Sequence, residues 1–226
     1  LPFTAFGHSD TGRQRSSNED HFLCLEVGRA PEAAQLLAVA DGMGGHAGGQ
    51  VASELAITAL KAAVEAADGV AARPEAERLL RSAFESANRD ILDTAAADPG
   101  LTDMGTTMVA ALATESQVTL ADLGDSRGYL VRGGIIGQIS VDHSWREEAR
   151  RHDLPMQEIS MSPFRETITR SLGVDEEVGV DLFGFQPRPG DRILLCSDGV
   201  HDLLSDQEIR EAILSEDSPE VVSRNL

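Results

Sequence analysis

The chain has 226 residues, with 38 Asp and Glu against 19 Lys and Arg, a formal charge of −19. One domain is expected at this length, and 41% hydrophobic content with only 4% aromatic residues calls for an aliphatic, Ala-rich core. The only lysine, Lys61, lies in an Ala-rich run with no glycine-rich phosphate loop before it, which excludes a P-loop nucleotidase, and the acidic balance disfavours nucleic acid and anionic membranes as partners.

Three apolar runs come first, at 3–6, 21–27 and 35–40, and each ends in turn residues, so each reads as a strand. The third, QLLAVA, is apolar almost throughout, as in a strand buried on both faces. Periodicity then changes. Residues 47–67 place Val51, Leu55, Thr58 or Ala59, and Ala62 on one helical stripe. A second helix is expected over 74–96, opened by Pro74 and carrying Leu79, Leu80, Phe84, Ala87, Ile91 and Leu92. Asp98-Pro99-Gly100 closes it. Strands return at 106–113, 117–123, 127–132 and 135–141, the last two joined by a turn at Arg132-Gly133-Gly134. Residues 142–170 are charged, contain Pro155 and Pro163, and read as a short helix and a flexible excursion. Two more strands follow at 178–186 and 192–197. Ser205 and Glu208 have capping-box spacing, and Ser218-Pro219 opens a last helix. The order implies an α+β fold with two packed sheets and helices outside.

Cys24 and Cys196 are not in C-x-x-C spacing and each lies in an apolar run, so both read as buried, reduced thiols of a cytoplasmic protein. An Arg six residues after either would suit a cysteine phosphatase, but Ala30 and Asp202 stand there. No apolar run approaches the ~18 residues of a membrane span, and no signal peptide is visible.

Four acidic positions sit where apolar strands begin or end: Asp41-Gly42, Asp198-Gly199, Asp125, and Asn18-Glu19-Asp20. Each alone reads as a solvated turn acid. Together they suggest converging carboxylates, which repel and take up protons unless a cation joins them. Mg²⁺ or Mn²⁺ suits such hard oxygen donors, whereas the six scattered His do not make a zinc site. Arg15, Arg13 and Arg170 are the cations of interest, because bidentate phosphate binding favours Arg; a surface Arg paired with neighbouring acids is the alternative for Arg15.

The segments RSSNED (15–20), VADGMGGHAGGQVAS (39–53), MGTTMVAAL (104–112), ADLGDSRGYL (121–130), DHS (142–144), ITRSLG (168–173) and GDRILLCSDGVHDLLSDQEI (190–209) follow in this order. The chain resembles the metal-dependent protein Ser/Thr phosphatases of the PPM (type 2C) family in bacterial form, over nearly its whole length. The resemblance implies a central β-sandwich of two antiparallel sheets flanked by helices. It implies hydrolysis of phosphoserine and phosphothreonine on proteins by a water bridging two Mn²⁺ or Mg²⁺ ions, with a third ion possible and no phosphoenzyme. By motif, Asp41 bridges the two metals and the Gly42 carbonyl is a further ligand. Asp198 binds the first metal, Asp20 or its neighbour Glu19 holds the second, and Asp125 with Asp198 forms the third site. Arg15 binds the substrate phosphate. His46 is either the general acid or a structural residue at a helix start. Blander readings stand for others: His143-Ser144 as a turn and helix cap, Gly105-Thr106-Thr107 as a strand packed behind the site, His201 and Asp202 as turn stabilisers. Substrate choice is expected in a flap over 142–170.

The resembling proteins end with a Gly-rich segment, an Asp-Asn pair whose Asp binds the first metal, and a terminal strand. This chain stops at Leu226 within the preceding helix. The expectation is therefore one domain over 1–226, C-terminally incomplete, short of its final strand and one ligand. An impaired binding or sensor module, or a phosphatase dedicated to one regulatory phosphoprotein, are the alternatives. Expected partners are phosphoproteins and an opposing Ser/Thr kinase, with a monomeric state.

Overall fold

The computed structural model describes residues 3–13, 15, 17–28, 33–44, 47–67, 73–216 and 218–226. The larger of two antiparallel sheets is built from β1 (Asp20–Val27), β2 (Ala34–Met43), β4 (Met108–Ala113), β5 (Val118–Leu123) and β8 (Asp181–Phe185), in that spatial order, with the short β3 (Gly105–Thr106) paired to β2. The smaller sheet has the order β7 (Ile135–Gln138), β6 (Arg127–Arg132), β9 (Arg192–Cys196). The α-helices among the described residues are α1 (Ala47–Glu65), α2 (Arg73–Ala97), α3 (Trp145–Arg151), α4 (Met156–Met161), α5 (Asp198–His201), α6 (Asp206–Ser215) and α7 (Pro219–Asn225).

The layers follow from the alternation of side chains along the strands, which here are buried on both faces. One face of the large sheet sends Ala38, Ala40, Ala110, Leu112, Ala121 and Leu123 into a core shared with α1 and α2. The alternate residues Val109, Ala111 and Leu120 are also fully buried, on the side toward the small sheet. There the sheets approach so closely that a Cβ on Gly128 would stand 2.4 Å from Leu120 Cδ1. Tyr129, Val131 and Cys196 cover the outer face of the small sheet together with Ile209 and Ile213 of α6. The expected sandwich flanked by helices is thus present.

Two local expectations differ. Residues 3–6 form no strand. The buried face of α1 includes Ala52, Ala56, Ala59, Leu60 and Val64, with Val51 and Leu55 packed partly against the core; of the predicted stripe, Thr58 and Ala62 are exposed. Asp198 follows β9 closely, as expected, and opens α5. The Ser205 capping box is present as expected.

Candidate metal centre

β1 and β2 pair in a register that sets Asp20 opposite Asp41. β9 runs through Cys196 into Ser197 and Asp198, and the Ser197 hydroxyl donates to Asp20 Oδ2 at 2.7 Å. Three carboxylates remote in sequence thereby meet at one end of the sandwich. Asp41 is only 7% exposed. Its pKa is pushed up to about 9, first by burial, then by the charges of Asp20 and Asp198, and by a hydrogen bond with the Asp198 carboxyl; Arg15 pulls it the other way. Arg15, itself exposed, therefore lies within electrostatic reach of Asp41. Asp125, in the turn between β5 and β6, is raised to about 6 by burial and then by Asp198 and Asp142.

The donor set fits a hard divalent cation. A hydrogen bond between two carboxyls needs a proton on one of them, and a divalent ion relieves the same repulsion without it. Among the described residues, no three His, Cys, Asp or Glu side chains already stand at ligand spacing about one point. Asp20 is turned to Ser197 and Asp41 to Asp198.

The backbone around Asp41 is held from behind. Its N–H donates to Thr107 Oγ1 at 3.2 Å, and its carbonyl accepts from Thr107 N at 2.9 Å and Thr106 Oγ1 at 2.8 Å. Thr107 Oγ1 also pairs with Ser126 Oγ at 2.7 Å, which ties Asp41 to the Asp125-Ser126 turn. The threonine pair thus packs behind the site as expected, but the link to Ser126 was not foreseen. Adjacent β-branched residues before a strand were its only signal.

Gly42 owes its identity to close approach. A Cβ there would stand 2.1 Å from the Gly49 carbonyl oxygen and 2.7 Å from that of Glu19, both backbone atoms. The Glu19 carbonyl accepts from Gly42 N at 3.2 Å and from Ser53 Oγ at 2.6 Å, locking β1, β2 and α1 together. Gly42→Ala is therefore expected to destabilise the fold by about 2 kcal/mol or more, read from its urea midpoint.

The sequence-predicted residues separate clearly. Asp20, Asp41, Asp198 and Arg15 are brought together, with Asp125 coupled to Asp198. The Glu19 carboxylate faces α1 instead: a Cβ on Gly49 would meet its Oε2 at 2.3 Å. Arg170 lines a cleft of about 250 Å³ with Met43, Asp103, Gly105, Ile168 and Val174, beside the site. His46 lies outside the described residues. His201 Nε2 contacts the Asp125 carbonyl at 3.0 Å, so this histidine holds a turn, and Ser144 caps α3.

Known proteins share this chain's sequence and form. It is 37% identical over 208 residues to the serine/threonine phosphatase stp of Listeria monocytogenes, covering 92% of this chain and 81% of that protein. It is 38% identical over 209 residues to PstP of Mycobacterium tuberculosis, a serine/threonine protein phosphatase, covering 91% of this chain and 38% of that longer protein. The Streptococcus agalactiae serine/threonine phosphatase structure superposes with a TM-score of 0.87 at 29% identity, covering 96% of this chain and 88% of that one. The PstP catalytic domain in complex with two manganese ions gives 0.79 at 35% identity, covering 96% and 86%. The sequence profile of the family described as protein phosphatase 2C matches residues 10–218. The chain belongs to the protein phosphatase 2C family of serine/threonine protein phosphatases.

Proposed function

We propose that the carboxylates around Asp41 hold two divalent cations, Mn²⁺ or Mg²⁺, and that the centre hydrolyses phosphoserine and phosphothreonine on proteins without a phosphoenzyme. The observation that carries this reading is the buried Asp41 carboxyl with Asp198, half-buried, and Asp20 beside it, a charge arrangement that a divalent cation relieves. The related PstP domain with two manganese ions supports it.

Asp41, with the Gly42 carbonyl beside it, would serve both cations. Asp198 would hold one ion and Asp20 the other. Glu19 supports that side of the site, and Asp125 with Asp198 would hold a third ion. When bound, the cations acidify a water and offset the charge on the phosphoryl group. The chain's own residues hold and orient. Thr106 and Thr107 fix the Asp41 backbone, so the carboxylate needs little rearrangement as charge develops. Arg15 takes the phosphate oxygens as a bidentate donor. A thiol nucleophile is disfavoured: burial pushes Cys196 up to about 12, so almost none is thiolate at neutral pH.

The substrates are phosphoproteins set by an opposing Ser/Thr kinase, met by a monomeric enzyme. Two free cysteines fit a reducing, cytoplasmic setting. No helix among the described residues is long and apolar enough to cross a membrane.

Arg15→Ala is expected to raise KM for a phosphopeptide roughly 10- to 100-fold, the usual cost of one charged hydrogen-bonding group, while Mn²⁺ affinity stays within about threefold. Steady-state kinetics and calorimetry check both halves. The reading as a whole is tested with a phosphothreonine peptide. Phosphate release should require Mn²⁺ or Mg²⁺, stop with EDTA, and resume on adding metal; turnover that persists in EDTA would refute it.

A further inference from the structure

We propose that His143 is a positioning residue for Asp125, linking the base of the 142–170 flap to the turn that carries this carboxylate. The inference rests on the reading of Asp125 as a cation ligand.

His143 is 1% exposed and lies where three segments meet. Its backbone N–H donates to the Gly124 carbonyl at 2.7 Å, and Gly124 N–H donates back to the ring Nδ1 at 3.0 Å. A nitrogen that accepts an amide hydrogen carries no proton, so the neutral ring bears its hydrogen on Nε2. That nitrogen is 3.2 Å from Asp181 Oδ2, to which it donates. Both ring nitrogens are thus committed, and one tautomer fits.

Each partner leads somewhere useful. Gly124 precedes Asp125, and its φ of +118° with a would-be Cβ 2.5 Å from Thr107 Cβ leaves no slack in the turn. The turn is clamped by His143 on one side and Thr107 on the other. On the flap side, Thr169 N–H donates to the His143 carbonyl at 2.8 Å, and Ser144 bridges to Ile168. Asp181 Oδ1 lies 3.8 Å from Arg170 Nη1, on the wall of the cleft that begins at Met43. The path Arg170–Asp181–His143–Gly124–Asp125 is continuous through these contacts. A histidine that only filled the core would need its burial but not this set of partners. One that orients a ligand through its backbone should change metal affinity tenfold or more when its bond is lost, as orienting groups behind metal ligands do.

The test is Mn²⁺ titration of the wild type, Asp125→Asn, His143→Gln and the double variant, followed by electron paramagnetic resonance and calorimetry. Asp125→Asn identifies the cation that Asp125 holds, weakening it at least tenfold. His143→Gln, which no longer places an acceptor before Gly124 N–H, should weaken the same cation about tenfold and leave the tighter ions within twofold. The double variant should bind no worse than Asp125→Asn alone, since His143 acts through Asp125. His143→Asn, whose side-chain oxygen can take the Nδ1 role, should recover most of the loss. Unchanged affinity in a folded His143→Gln, or losses that multiply in the double variant, would overturn the proposal. Should His143→Gln fail to fold, Asp181→Ala takes its place: the same cation should weaken about threefold, and no change there would overturn the proposal equally. A wild type that binds no Mn²⁺ would instead overturn the metal reading beneath it.

Discussion

Asp41→Asn is expected to lower phosphopeptide turnover by at least ~1,000-fold, and at the same time to make the metal-free protein more stable. The two effects share one cause. Asp41 is the most perturbed acid of the centre, held up to about 9 by burial and by the charges of Asp20 and Asp198. In the unfolded chain an Asp loses its proton near pH 4. Between pH 4 and pH 9 the unfolded state therefore releases a proton that the metal-free folded state keeps. Stability falls through that window by up to ~1.4 kcal/mol per pH unit, which amounts to a few kcal/mol at pH 7. Asparagine removes the titration and fits the same space, so the metal-free variant should melt higher than the metal-free wild type at pH 7–8. On the proposed reading it also removes the charge that would join the two cations, and turnover goes with it. Thermal melts in EDTA and phosphate release in Mn²⁺ check the two halves separately. An active Asp41→Asn enzyme would contradict the site assignment.

Asp122→Asn is expected to stabilise the protein by a few kcal/mol at pH 8, with or without metal. Asp122 lies in β5 opposite Asp181 of β8, is fully buried, and neither carboxyl oxygen has a hydrogen-bond partner among the described residues. Burial raises its pKa well above the ordinary value, and Asp142 and Asp181 add to this; the Val141 amide pulls it back somewhat without completing a hydrogen bond. The sign is that of Asp41. The folded protein keeps a proton that the unfolded chain sheds above pH 4, so stability drains away as pH rises through neutrality. An amide of equal size carries no such linkage, although its own burial without partners still costs something. The wild type and Asp122→Asn should therefore converge near pH 4 and separate steadily above it. Urea unfolding at pH 5, 6.5 and 8 reads this, and equal stability at pH 8 would show that Asp122 is ionised and paired after all.

What the sequence made legible follows from periodicity and from the residues that flank strands. QLLAVA, TTMVAALA and QVTLADL announce themselves because β-branched and aliphatic runs end in turn residues. α2 is read nearly residue by residue, since Leu80, Phe84, Ala87 and Ile91 are both apolar and buried. α1 is read as a helix with its face only partly right, because most of its buried residues are glycine, alanine or serine and carry little hydrophobic contrast. The FTAF segment shows why four apolar residues alone do not specify a strand: it takes no place in either sheet.

The site was legible as residues but not as geometry. Asp41, Asp125 and Asp198 are marked by adjoining glycine and by strand ends. The choice between Glu19 and Asp20 is not marked, because adjacent acids look alike until the β1–β2 register places Asp20 opposite Asp41. Asp122 hides inside VTLADL, where nothing in the strand marks it; every residue of that strand is buried, because a second sheet covers its other face. His143 read as part of a turn because its partners, Gly124 and Asp181, are distant in sequence.

Calorimetric titration of Mn²⁺ into the metal-free protein, in buffers of differing ionisation enthalpy, tests the central claim most directly. If Asp41, Asp20 and Asp198 form the cation centre, the protein binds at least two Mn²⁺ near pH 7.5. Binding also releases close to one proton, because the carboxyl held up to about 9 must ionise to become a ligand. Asp41→Asn abolishes that release. Mn²⁺ binding with no proton release, or release unchanged in Asp41→Asn, would place the metal elsewhere and contradict the account.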